Sequence, residues 1–138
     1  MYGVEFNYLA ILVSALATFA IGALWYNPIL FGKLWVQSHG YTPADIDKMK
    51  TSMGRAYGVS FIAYLVVAAV MSILIHLTGI IRWQGGLKLG ALTWLGFAAT
   101  IGLTANMYSE KKLMTFVIDA GYQLVYLMAM GAILTAWR

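Results

Sequence analysis

The stretch LMTFVIDAGYQLVYLMAMGAILTAW, Leu113 to Trp137, decides the fold. It runs for 25 residues with a single charged side chain, Asp119. A helix needs about 20 apolar residues at ~1.5 Å rise each to cross a hydrocarbon core of ~30 Å. Working outward, three more segments reach that length: Gly86 to Tyr108, Tyr57 to Thr78, and Glu5 to Tyr26. Inside a bilayer these must be helices, because an open strand would leave backbone groups unpaired in hydrocarbon. The alternating ten-residue pattern of a membrane barrel is absent.

Composition agrees with this reading. The chain has 138 residues, 62% hydrophobic and 10% charged, against about 45–50% and ~25% in ordinary soluble domains. A water-facing surface would need many more polar groups. The length suits one domain, so residues 1–138 are expected to form a single all-α, integral membrane four-helix bundle, with the lipid bilayer as its surroundings. The first span lacks a basic leader and is followed by aromatics and Pro28 instead of a small-residue cleavage site, so it is expected to stay in the mature protein. The absence of cysteine excludes disulfides and thiolate chemistry. A net charge of +4 does not point to nucleic acid, since the basic residues stand singly at the ends of apolar runs and form no patch.

Those basic residues set an expected orientation. Lys33, Lys48, Lys50, Arg55, Lys111 and Lys112 lie near the connections between spans one and two and between spans three and four; Arg82, Lys88 and Arg138 lie on the other side. Six against three predicts both termini outside and the connections 27–54 and 109–112 in the cytoplasm. Trp25, Tyr26, Trp35, Tyr57 and Tyr108 on one side, and Tyr2, Trp83 and Trp137 on the other, suit the aromatic belts found at headgroup level.

Between spans one and two, Asn27-Pro28 reads as an N-cap with proline at the first helical position. A short amphipathic helix from Ile29 to Val36 is expected to lie in the interface, anchored by Trp25, Tyr26, Pro28, Phe31, Lys33 and Trp35, with Gly32 on its polar side. Gly40 would stop it. Thr42-Pro43-Ala44-Asp45 then repeats the start signal close to a capping box, and Ile46, Met49 and Met53 share one face of a second short helix.

A polar residue inside a span is a functional-site hypothesis, because burying it costs several kcal/mol unless it is paired or reaches water. Asp119, Tyr122, Gln123 and Tyr126 fall at i, i+3, i+4 and i+7, on one helical face. Asp119 lies ~10 Å beyond Lys112 by helix rise. Thr18, Thr100, Thr104 and Asn106 are expected at similar depth, and Gly96, Thr100 and Thr104 form a small-residue row. The stripe reads either as interhelical glue or as the lining of a pathway with a protonatable carboxylate. Near the outer face, Glu5 and His76 match in depth and form a candidate pair, and Gly86-x-x-x-Gly90 is a close-packing signal.

Catalytic patterns are missing. With only two histidines, His39 and His76, no metal set of usual spacing exists, and no nucleophile elbow or phosphate loop occurs. No enzyme activity, cofactor or metal is expected.

The strings LWYNPILFGKLW after span one, TWLGFAAT in span three and DAGYQLVYLMAMGAILTAW in span four resemble a family of small bacterial four-span membrane proteins classed as a domain of unknown function. The resemblance covers nearly the whole chain. It implies the four-helix membrane fold and a bacterial inner membrane, and brings no activity. Two functional classes are then open: a structural or accessory homo-oligomer, or a small oligomeric transporter or channel in which Asp119 titrates and Tyr122, Gln123, Tyr126 and Asn106 line the path. Four spans enclose little on their own, so assembly with closed symmetry is expected under both.

Overall fold

The computed structural model describes residues 5–137; Tyr2 of the aromatic belt and Arg138 of the basic set lie outside the described residues. Among the described residues six helices succeed one another: α1 (Tyr8–Trp25), α2 (Gly32–His39), α3 (Pro43–Lys50), α4 (Met53–Thr78), α5 (Trp83–Tyr108) and α6 (Leu113–Ala136). The four long ones are apolar enough to cross a membrane. The chain is therefore all-helical among its described residues, with four membrane-span-like helices and a short helical connection, as the hydropathy pattern implies.

Local chemistry sets the ends. Asn7 accepts the Ala10 N–H at 3.1 Å and caps α1, so this helix starts later than Glu5. Gly40 and Gly79 each take a φ of 70° just past α2 and α4, the left-handed stop that a Cβ would strain. Thr42 and Asp45 form a complete capping box at α3, with Asp45 N–H on Thr42 Oγ1 at 3.2 Å and Thr42 N–H on Asp45 Oδ2 at 2.9 Å. These bonds hold the Asp45 carboxyl below its ordinary range.

Asn27-Pro28 behaves differently from the sequence reading. The Asn27 side chain accepts the Ile29 N–H at 2.9 Å, its carbonyl accepts from Leu30 and Gly32, and Trp25 O accepts from Phe31. The asparagine is spent on a turn, and the helix begins only at Gly32. Pro28 is thus a turn residue, not the first residue of a helix. Gly32 is buried on the packed side, because a Cβ there would overlap Tyr26 O and the Asn27 backbone; it does not sit on a polar outer face.

The helix α6 is central and touches α1, α2, α4 and α5. Its closest partner is α5, where Gly86 and Gly90 meet Gly131 and Leu127 backbone to backbone; a Cβ at Gly86, Gly90 or Gly131 would overlap a facing carbonyl. The Gly86-x-x-x-Gly90 signal is therefore a real contact. Around this pair the half of the bundle nearer the chain ends is dry, built from Ala10, Ile11, Ala68, Met71, Ile75, Leu127, Met130 and Leu134. At that end Asn7 Nδ2 also donates to Trp137 O at 2.9 Å. The network of hydrogen-bonded aromatic and polar side chains around Asp119 lies in the other half, beside the connections.

Candidate functional site

At the connection end, α6 is ringed by indoles. Trp25 from the end of α1 donates to Ile118 O at 2.9 Å, Trp35 from α2 to Asp119 Oδ1 at 3.1 Å, and Trp94 from α5 to Ala120 O at 2.7 Å. An indole N–H is donor only, and at a depth with little water it needs an acceptor. Three successive residues at ~100° each sweep ~200° of the helix surface, so three different neighbours can each reach one. These tryptophans thus point inward, and do not serve only as headgroup markers.

Asp119 receives a second bond from Tyr26, hydroxyl to Oδ1, at 2.5 Å. One turn earlier, Thr115 donates to Ser38 Oγ at 2.7 Å, and Ser38 donates to Trp35 O at 2.8 Å. Segment 25–38 is therefore folded back against the start of α6 by four bonds: two to backbone or carboxylate from aromatic N–H groups, one from a phenol, one between hydroxyls. Phe31 adds a ring contact with Trp25 at 4.7 Å between centroids. The residues that remain outward on this segment are Asn27 to Leu30, Lys33, Leu34 and Gln37.

The anchoring motif and the Asp119 stripe, read separately in the sequence, are one site. Ser38 and Thr115 belong to it too, with almost no sequence signal of their own, because a hydroxyl near a helix end is as readily solvated as bonded. The only available hint was the i, i+4 spacing of Thr115 and Asp119.

The stripe itself divides. Tyr122 and Gln123 are adjacent residues ~100° apart around the axis, which is wide enough to face two neighbours. Tyr122 turns to α1 and α4, donating to Thr18 O at 2.9 Å and meeting Tyr64 OH at 3.2 Å. Tyr126 lies a turn further along, with ring centroids 5.4 Å from Tyr64 and 4.9 Å from Tyr122. Gln123 turns the other way, into a cavity of about 190 Å³ that it lines with Asp119, Asn106, Thr115 and Lys111. Asn106 is buried there with its Oδ1 unpartnered while its Nδ2 reaches Lys112 O at 3.3 Å. Thr18 joins through its carbonyl, its own hydroxyl being bonded to Ser14 O.

Thr100 and Thr104 do not join. Both are exposed on the outer side of α5 with their hydroxyls returned to Gly96 O and Thr100 O at 2.8 and 2.9 Å. Their segment includes a wider turn, Trp94–Ala99, with π-helical bonding, which rotates the remainder of α5 away from the facing a regular helix would give it. Glu5 and His76 are exposed and form no ion pair; among the described residues the ion pair present is Lys50 with Asp47 at 3.9 Å, on α3. Among the described residues no three of His, Asp and Glu come together to hold a metal.

A second, larger cleft of about 690 Å³ lies between α1, α4 and α6. Phe19, Tyr26, Tyr57, Tyr64 and Tyr122 form its aromatic walls, with Ser60 and Met53 beside them. Tyr26 separates the two spaces, with its ring in the cleft wall and its hydroxyl on Asp119. Close by, the His39 ring stacks on Tyr41 at 4.7 Å and 5° and meets Trp35 at 4.4 Å. Partial burial and the Lys111 charge hold its pKa below the ordinary value, against the opposing pull of Asp119.

Four apolar spans, three of them packed on the fourth, define a multi-pass membrane protein. The chain belongs to the family described as Protein of unknown function (DUF1761), whose model matches residues 9–135. No curated protein and no solved structure matches the chain.

Proposed function

We propose that the protein is a non-catalytic structural or accessory component of the bacterial inner membrane, acting as a homo-oligomer, in which intramembrane polar groups hold helices together. The observation that carries this reading is the pair of bonds from Tyr26 and Trp35 to one oxygen of Asp119. Both donors come from the same chain, and they fasten the folded-back segment to the central helix. With six basic residues at the connection end, that end faces the cytoplasm and both chain ends face outward. The assembly face is the outer side of α5, where Gly96 has open space around it and the threonine hydroxyls are bonded back to carbonyls of their own helix, so a small-residue row is free to pack on a second copy.

A second reading, proton-coupled transport, is favoured by the 190 Å³ cavity and its unpartnered Asn106 oxygen. Proteoliposomes loaded with a pH-sensitive dye distinguish the two. The structural reading expects no proton flux above empty liposomes from the parent protein or from Asp119→Asn, and an oligomer in native mass spectrometry. Flux by the parent that Asp119→Asn abolishes would replace it with the transport reading.

A further inference from the structure

We infer that the aromatic cleft between α1, α4 and α6 is a binding site for an amphipathic organic cation, a delocalised or quaternary ion carrying apolar groups. Its volume of about 690 Å³ falls within the ~300–1,000 Å³ typical of small-molecule sites. Five aromatic side chains wall it, and they stand at angles to one another instead of stacking flat. Phe19 meets Tyr64 at 5.3 Å and 73° and Tyr57 at 6.1 Å and 83°, and Tyr26 meets Tyr122 at 5.4 Å and 73°. In such edge-to-face pairs a partner covers only one face of a ring, and a ring face carries the negative end of the quadrupole that attracts cations.

Charge points the same way. No Lys or Arg lines the cleft. The one acidic residue within a long apolar helix, Asp119, stands directly behind its wall, joined through the Tyr26 hydroxyl at 2.5 Å. A phenol donating to a carboxylate gains electron density on its oxygen and ring, so Tyr26 carries part of that negative charge to the cleft. In surroundings of low dielectric such a charge acts over several ångströms. Hydroxyls of Ser60, Tyr57 and Tyr64 add oxygen atoms at the rim and wall.

An acyl chain would fill the apolar volume but would gain nothing from the charge; an anion would be repelled. A cation with apolar substituents uses both. The site lies on the opposite side of Tyr26 from the Asn106 cavity, so this inference holds whether or not protons cross the protein.

The test is equilibrium dialysis of the detergent-solubilised full-length protein against tetraphenylphosphonium and against tetraphenylborate, ions of the same shape and opposite charge, with empty micelles as the blank. Saturable binding of the phosphonium at one site per chain is expected, at least about tenfold tighter than the borate. Asp119→Asn keeps an oxygen for Tyr26 and Trp35 and removes the charge; it should weaken phosphonium binding about tenfold, with a lowered melting temperature but a cooperative unfolding transition retained. Tyr57→Leu, at the exposed mouth, supplies a second variant whose folding depends less on the site and should weaken binding severalfold. Equal binding of the two ions, no saturable binding, or an Asp119→Asn protein that binds the phosphonium as the parent does would each overturn the proposal and leave the cleft as a groove for lipid tails.

Discussion

An indole N–H can donate once and accept nothing, and that constraint explains more of this structure than any other single-residue property. Trp25 and Trp35 sit where a belt residue belongs and Trp94 midway along a span, yet each spends its N–H on the central helix. Sequence position indicates the depth of a tryptophan but not its direction, which depends on whether a neighbour offers an oxygen. Asp119 offers one to two donors at once. Replacing Tyr26 by Phe leaves the ring and removes one charge-assisted bond, so a loss of about 1.5–3 kcal/mol is expected, read as a lower unfolding midpoint in detergent. Trp35→Phe should cost a similar amount. Because both bonds end on one oxygen, the double variant should fall short of the sum.

His39 yields a prediction in pH. Its folded pKa lies below the unfolded value of ~6.5, so on acidification the unfolded chain takes up the proton first. The stability present above that pH is then lost as pH falls through ~6.5 toward the folded value. Melting curves between about pH 8 and pH 5 should show this decline, and His39→Phe, which keeps the ring stack with Tyr41, should remove the histidine's share of it. An unchanged pH profile in the variant would show that other groups cause the decline.

At the scale of the helices, the four spans were legible because length and hydropathy leave no other arrangement in a bilayer; their starts differ by about a turn at most, the first beginning later at the Asn7 cap and the second and third earlier, at Met53 and Trp83, where polar residues extend the helix beyond the apolar run. The start of α2 was less legible. Asn-Pro suits both an N-cap and a turn, and Asn27 has one side-chain oxygen to give, which Ile29 takes. The wide turn Trp94–Ala99 has no sequence signature at all, so the outward placement of Thr100 and Thr104 was out of reach. Glycines test the helix pairing directly. Gly86→Ala or Gly131→Ala forces a Cβ into a facing backbone and should destabilise by about 1–3 kcal/mol. Gly96→Ala meets nothing and should leave stability unchanged or raise it by up to about 1 kcal/mol through helix propensity. In α3, Thr42→Ala removes the cap, and amide exchange across residues 43–50 should quicken while the four long helices keep their protection.

For the whole molecule, the notable property is the division into a dry half and a polar half. Apolar side chains and glycine contacts hold the end near Asn7 and Trp137; hydrogen bonds among aromatics, Asp119 and hydroxyls hold the end near the connections. Sequence reading located the polar residues but assigned the aromatic motif and the acidic stripe to different tasks, since nothing in the spacing of residues 25–38 and 115–122 states that they meet. Assembly is tested at this scale as well. Gly96→Leu with Thr100→Leu roughens the outer side of α5 without entering the monomer's interior; under the homo-oligomer reading it should shift native mass spectra toward single chains while the melting temperature of the monomeric fold holds. Oligomers that persist unchanged would move the assembly face elsewhere.

The bond between Asn7 and Trp137 makes the order of the helices in the chain partly dispensable. Since the first and last described helices finish side by side, a few flexible residues joining position 137 to position 7 would close the backbone into a ring without disturbing a span. Opened again in the short turn around Glu110, such a ring would begin with α6, the helix every other span packs on, so the membrane would receive the hub before its partners. A permuted chain of this kind should reach the same fold, with the indoles from α1, α2 and α5 closing onto a helix already in place.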